Sequence, residues 1–171
     1  RARRICRYTF DYYCPHIGIS YWEVKMRIGI VASWYSSLRA PNRGSFIRAQ
    51  AIGLRDIGHE VFVIALDRDA SYPLLRVRKT IEYEITHYRI SVPWPWHRIL
   101  GFYFPKTLVG KLREIFNFEK PEVVHAHAVR PAGVLTRLSL YGSTIPWCLT
   151  EHSGWLKRFW WTNHGYKLIN E

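Results

Sequence analysis

The sequence predicts an α/β fold, a parallel sheet flanked by helices, and three observations lead there. Short apolar runs rich in β-branched residues recur at 28–32, 60–66 and 122–128, the pattern of strands buried on both faces. Between them lie stretches whose apolar residues fall on one helical face. Strand and helix then alternate along the chain, as they do in doubly wound sheets.

Taken in order, Arg27-Ile-Gly-Ile-Val-Ala reads as a first strand. Pro41, Asn42 and Gly44 mark a turn after it. Residues 45–57 read as a helix whose inner face carries Ile47, Ala51, Leu54 and Ile57, with Gly58 placed for the left-handed residue that ends it. Glu60 to Leu66 is a second strand, and 67–80 a polar, basic connection. In 81–92 the apolar residues alternate as Ile81, Tyr83 and Ile85, then shift parity to Tyr88, Ile90 and Val92. That shift predicts a bulge or turn near Thr86–His87. Pro93 and Pro95 stop the strand. Leu108, Val109, Leu112, Ile115 and Phe116 share one face of a helix over 103–118. A strand follows at 122–128, a helix opens near Pro131 and runs to about Tyr141, and a last strand spans 146–151.

A chain of 171 residues with 48% hydrophobic content holds one domain with an ordinary core. No run of 18 apolar residues is present, so no membrane-spanning helix is expected. No internal repeat of fixed period occurs. Cys6, Cys14 and Cys148 are odd in number and match no common zinc spacing, which fits a reducing compartment. Residues 1–25 show no clear period and no signal-peptide pattern. They are expected to be a non-native or unstructured extension, with natural translation starting at Met26 and the domain proper spanning 26–171. The formal charge of +12 favours phosphates, anionic lipid surfaces or nucleic acid, and charge alone does not choose among them.

Ligands of open α/β sheets bind at the carboxyl ends of the strands. Three features fall there. The first is Asn42-Arg43-Gly44-Ser45, just before a helix. Gly44 allows close backbone approach, and a helix N-terminus offers unpaired N–H groups and positive charge to a phosphate or to sugar hydroxyls. It is neither a dinucleotide fingerprint nor a Walker loop, and an ordinary helix-initiating turn would look the same. The second is His125 and His127, two apart on a strand and so on one side of the sheet. They would form half a metal site, but further ligands are needed, and no metal is expected. A neutral imidazole facing a sugar hydroxyl fits better, with His125 packed in the strand and His127 emerging at its end. The third is Glu151-His152-Ser153-Gly154. A carboxylate beside an imidazole suits acid–base work, but neighbours on a strand face opposite ways, so a structural or sugar-binding His152 is the expectation. Basic and aromatic residues also cluster: Lys106, Lys111, Arg113 and Lys120 with Trp94, Trp96, His97, Arg98, Phe102, Tyr103 and Phe104, and again Trp155, Lys157, Arg158, Phe159, Trp160 and Trp161. Such surfaces suit a membrane face, nucleic acid, or a solvated helix over a normal core.

Together, RIGIVASWY (27–35), PNRGSFIRAQAIGLRDIGHEVFVIA (41–65), KPEVVHAHAVRPAG (120–133) and IPWCLTEHSG (145–154) resemble the N-terminal, acceptor-side domain of family 4 glycosyltransferases. The resemblance covers about 27–171, loosely over 67–119. It implies a Rossmann-like domain, the N-terminal half of a GT-B fold, in a retaining enzyme of the hexosyltransferase type. Such an enzyme moves a sugar from a nucleotide-diphosphate donor to a glycan or lipid-linked acceptor without cofactor or metal. By position it assigns His127 to the donor sugar near the reaction centre, as the catalytic residue. Gly44 would lie in the loop facing donor phosphate and acceptor, His152 would line the cleft, and Arg43 and Ser45 would be anion contacts by neighbourhood, with Glu151 beside them. The family's donor domain with its Glu-x7-Glu pair is not expected within these residues, and the chain is expected to stop before its own domain is complete, so the fragment alone should not turn over. Polysaccharide biosynthesis at the cytoplasmic face of a membrane, with no nucleic-acid partner, completes the expectation. The alternative is a non-catalytic Rossmann-like module that binds a sugar or nucleotide.

Overall fold

The computed structural model describes residues 25–37, 40–69, 75–93 and 106–152. The expected extension at 1–25 (Lys25 apart), the aromatic clusters of 94–104 and 155–161, and Ser153-Gly154 lie outside the described residues.

Among the described residues six strands form one sheet in the order β3-β4-β2-β1-β5-β6. They are β1 (Arg27–Ala32), β2 (Glu60–Asp69), β3 (Arg76–Glu82), β4 (Ile85–Pro93), β5 (Val123–His127) and β6 (Trp147–Thr150). All pairings are parallel except β3 on β4. Helix α1 (Ser45–Asp56) covers one face, and α2 (Lys106–Glu119) and α3 (Val134–Ser139) the other. The Rossmann-like α/β fold is therefore present.

Both faces of the central strands are buried, which explains their unbroken apolar runs. Ile28, Ile30, Ala32, Val63, Ala65 and Ile85 pack against Ile47 and Ala51 of α1. Val31, Phe62, Ile64, Tyr88, Ile90 and Val124 pack against Leu108, Leu112, Ile115 and Phe116 of α2 and Leu135 of α3. Gly29 is needed inside β1 because a Cβ there would meet Cζ of the Phe62 ring at 2.7 Å.

Four expectations shift. Ile57 is 52% exposed, because α1 ends at Asp56 and Ile57 is already its C-cap. The stretch 67–80 is not all connection: β2 runs on to Asp69 and β3 begins at Arg76. The hairpin turn is at Tyr83–Glu84, both with positive φ, rather than at Thr86–His87. The parity shift has another cause: β4 is buried on two faces, with Ile85 turned towards α1 and Tyr88 and Ile90 towards α2. Finally, α3 starts at Val134, not at Pro131, because residues 129–133 make a wide π-type turn in which Arg130 is non-helical.

The chain moves from β1 to β2 on one side of β1, and later to β5 on the other. The carboxyl ends of β1 and β5 thus flank the topological switch point, where such sheets open a crevice. Ser33 ties those ends together. Its N–H and its Oγ both donate to the His127 carbonyl, at 3.4 and 3.1 Å. The Oγ also accepts the Ala132 N–H at 3.0 Å.

Candidate functional site

Strand register sets the site before any side chain is considered. The last full row across the α1 face reads Arg89, Ala65, Ala32, His127, Thr150. The row below it reads His87, Val63, Ile30, His125, Cys148. Polar groups occupy both flanks, with two alanines between them. At about 4.8 Å per strand, Arg89 and His127 stand roughly 14 Å apart.

On the β5 flank three histidines gather. The rings of His125 and His127 lie 4.1 Å apart. Nδ1 of His127 is 2.8 Å from Nε2 of His152, with the two rings nearly parallel at 5°. Among the described residues, Nε2 of His127 is buried without a hydrogen-bond partner. His125 is held by Gln50 of α1 at 3.4 Å and by Thr150 Oγ1 at 2.7 Å. Burial first, then the imidazoles of His125 and His152, pushes His127 down to about 3. Burial and His152 also lower His125. His127 is therefore a neutral ring at ordinary pH, able to donate or accept one hydrogen bond at its buried edge.

The expected order of burial is reversed. His127 is 1% exposed, while His125 is only half-buried. The cause is local: His152 closes over His127, and Phe46, from the first turn of α1, stands against His152 at 4.4 Å between ring centroids. The same contact brings the N-terminus of α1 beside the histidines.

That N-terminus begins at Gly44, whose φ is 66°. A Cβ at this position would meet the Trp34 carbonyl oxygen at 2.7 Å, so the chain after β1 lies directly on Gly44. The first turn of α1 holds no acidic residue and has no side-chain cap, which leaves the positive end of the helix open to an anion. Arg43 and Ser45 are exposed there. Among the described residues, Arg43 makes no side-chain hydrogen bond or ion pair that would draw it to the histidines.

Both oxygens of Glu151 are engaged by backbone N–H groups. Its Oε2 accepts the Val129 N–H at 2.6 Å and its Oε1 the His152 N–H at 3.0 Å. The carboxylate thereby braces both the turn after β5 and the backbone that carries His152. Among the described residues no group of three or more His, Cys, Asp or Glu converges to hold a metal ion.

The β4 flank was missed in the sequence. Arg89 is 8% exposed and donates to Asp67 Oδ2 at 3.2 Å, to the Ser36 carbonyl at 2.6 Å and to Glu82 Oε1 at 3.4 Å. His87 donates from Nδ1 to the Ile85 carbonyl at 2.9 Å, which leaves Nε2 to accept from Tyr35 Oη at 3.2 Å. Burial, then Glu82, pushes Tyr35 up to about 12. This network clamps residues 35–36 and so fixes the loop that rests on Gly44. Alternation of His87 and Arg89 in a strand was the available signal, but polar alternation ordinarily marks a solvent face. Ser33, Phe46 and Thr150 carried no signal beyond their place near strand or helix ends, and Gln50, in the middle of α1, carried none.

The basic residues on α2 and just after it divide. Arg113 donates to the carbonyls of Ser139 at 3.1 Å and Leu138 at 3.0 Å, which pins α2 to the end of α3. Lys111 pairs with Glu114 at 2.6 Å. Lys106 and Lys120 stay exposed. Among the described residues no helix is long and apolar enough to cross a membrane.

No curated protein matches the chain. Among solved structures, it is similar to the catalytic domain of Starch Synthase IV from Arabidopsis thaliana bound to ADP and acarbose, at 15% identity and a TM-score of 0.46. That match covers 76% of this chain and 34% of the other, so the chain spans about a third of that structure's length. The family model described as Glycosyltransferase Family 4 matches residues 44–170, from the glycine of the α1 N-terminus through all three histidines. On that match, the chain belongs to Glycosyltransferase Family 4.

Proposed function

We propose that these residues form the acceptor-side wall of a cleft in a retaining sugar transferase whose donor-holding wall is a second domain. The observation that carries this reading is the buried, unpartnered Nε2 of His127 at the switch point of the sheet, beside an uncapped helix N-terminus. A neutral imidazole edge suits a sugar hydroxyl, and the helix end suits a diphosphate. His127 touches the transferred sugar near its reacting carbon. Gly44 and Ser45 meet the phosphates through the backbone, and Arg43 adds a mobile positive charge. His152 lines the cleft, with Glu151 holding it from behind.

The donor is a nucleoside-diphosphate hexose and the acceptor a glycan or lipid-linked sugar, in polysaccharide biosynthesis. The exposed lysines of α2 favour a place against an anionic membrane on the cytoplasmic side. No metal or other cofactor takes part, and the 171-residue chain alone does not turn over, because catalysis requires donor and acceptor held together. The test is transfer by the full-length gene product with UDP-, GDP- and ADP-hexoses. Acceptor-dependent release of nucleoside diphosphate is expected, and His127→Ala should lower it by about 100-fold or more, the scale of one lost polar contact at a reaction centre. No release with any donor, or full activity in His127→Ala, would overturn the reading. Transfer by the 171-residue chain alone would overturn the two-wall arrangement.

A further inference from the structure

The contact between His127 and His152 has room for one proton. Two neutral imidazoles joined through Nδ1 and Nε2 at 2.8 Å leave two arrangements. In one, His127 Nδ1–H donates to His152, and the buried Nε2 of His127 shows a lone pair. In the other, His152 Nε2–H donates to His127, and the buried Nε2 carries the hydrogen. We propose that His152 is a positioning residue that sets the tautomer of His127, and with it whether the buried Nε2 accepts from or donates to a sugar oxygen. The consequence for sugar binding rests on the function proposed above, whereas the proton arrangement itself does not.

The direction follows from what surrounds the pair. With no ligand, a buried lone pair without a partner costs less than a buried N–H without one. The resting pair therefore has His127 Nδ1–H donating to a neutral His152. When His152 is charged, both of its nitrogens donate, so His127 Nδ1 must accept. The Nδ1 proton crosses to His152 Nε2, and His127 Nε2 takes up one proton supplied by the solvent. One proton is gained in all, and the positive charge stays on His152, which is exposed. Burial keeps the His127 ring itself neutral and holds it down to about 3, so a change of tautomer is the change open to it.

The other groups facing the pair are His125, Phe46 and Glu151. From β5, His125 is engaged by Gln50 and Thr150. With the Gln50 amide donating to Nδ1, the His125 proton lies on Nε2 and goes to the threonine. From α1 the neighbour is the uncharged Phe46. Glu151 accepts backbone N–H groups with both oxygens. A ligand that meets the resting state thus presents a hydroxyl as donor, and one that meets the protonated state presents an acceptor oxygen. Either way the tautomer of the ring that touches the sugar is set by its neighbour His152.

The test uses the 171-residue chain with 15N-labelled histidine, read by long-range 1H–15N spectra during a pH titration without any sugar. Protonated and unprotonated ring nitrogens are well separated in such spectra. The expected result is that the protonated nitrogen of His127 changes from Nδ1 to Nε2 with the same midpoint as the titration of His152. In His152→Phe, which keeps a ring against Phe46, that exchange is lost while the backbone amide spectrum is retained. The inference is overturned if His127 keeps one tautomer while His152 titrates, if both its nitrogens become protonated together, or if the exchange persists in His152→Phe. Should that variant fail to fold, the coincidence of the two midpoints in the unaltered chain decides. Since no donor sugar is present, failure here and failure of sugar transfer are separate results.

Discussion

Gly44 carries two constraints at once, a φ of 66° and the Trp34 carbonyl oxygen at 2.7 Å from any added Cβ. Gly58 also has positive φ, at 96°, but a Cβ there meets nothing within 4 Å. Left-handed backbone alone costs a non-glycine residue about 1–3 kcal/mol. Gly44→Ala should therefore lose more stability than Gly58→Ala, by at least ~1 kcal/mol in urea denaturation, and equal losses would refute the close approach. The buried histidine makes a prediction of its own. Its folded value is lowered from 6.5 to about 3, so the unfolded chain binds more protons between those limits. Stability is fully present above the upper limit and is lost as pH falls through the window, at up to ~1.4 kcal/mol per pH unit for one group. His87 and His125 are shifted the same way. His127→Gln should flatten the stability–pH curve between about pH 6 and pH 3 relative to the unaltered chain; parallel curves would show that the ring is not held neutral.

At the scale of elements, α1 is where reading by period succeeds and then stops. Ile47 and Ala51 are fully buried, as the helical face predicts, while Ile57 extends the same face past the end of the helix into solvent. Ile47→Ala should cost ~2–5 kcal/mol, a core truncation, and Ile57→Ala within about 0.5 kcal/mol of nothing, both measured as shifts in denaturation midpoint. Strand β3 shows the opposite limit. Arg76, Arg78 and Lys79 line an edge strand open to water on both faces, so no buried side announces it and its charges read as a loop. Two-sided burial of β4 likewise mimics a bulge. The site was legible in part. Period two put His125 and His127 on one side of the sheet, and strand ends put Gly44 and His152 near them. Which ring is sealed was not legible, because it depends on where α1 docks Phe46 and Gln50. The Arg89 clamp was hidden for the same reason: only the docked loop of residues 35–36 turns a polar alternation inward.

At the scale of the molecule, the described part of the sheet is graded from a sealed centre to exposed edge strands. Buried strands β1 and β2 should show the strongest amide protection against hydrogen exchange, and β6, with exposed Trp147, Cys148 and Leu149, among the weakest. Protection of β6 equal to that of β1 would contradict this grading. The strand order also has a meaning in time. The β1–α1–β2 unit closes through neighbours in sequence, whereas the Ser33 to His127 hydrogen bond joins residues 94 apart. Non-local pairings are slow because the loop entropy must be lost before the contact returns anything. In refolding, the amides of β2 should thus become protected before those of β5. The ring that faces the crevice is then among the last groups to find its place, and a chain caught halfway already has its helix N-terminus but not yet the histidines beside it.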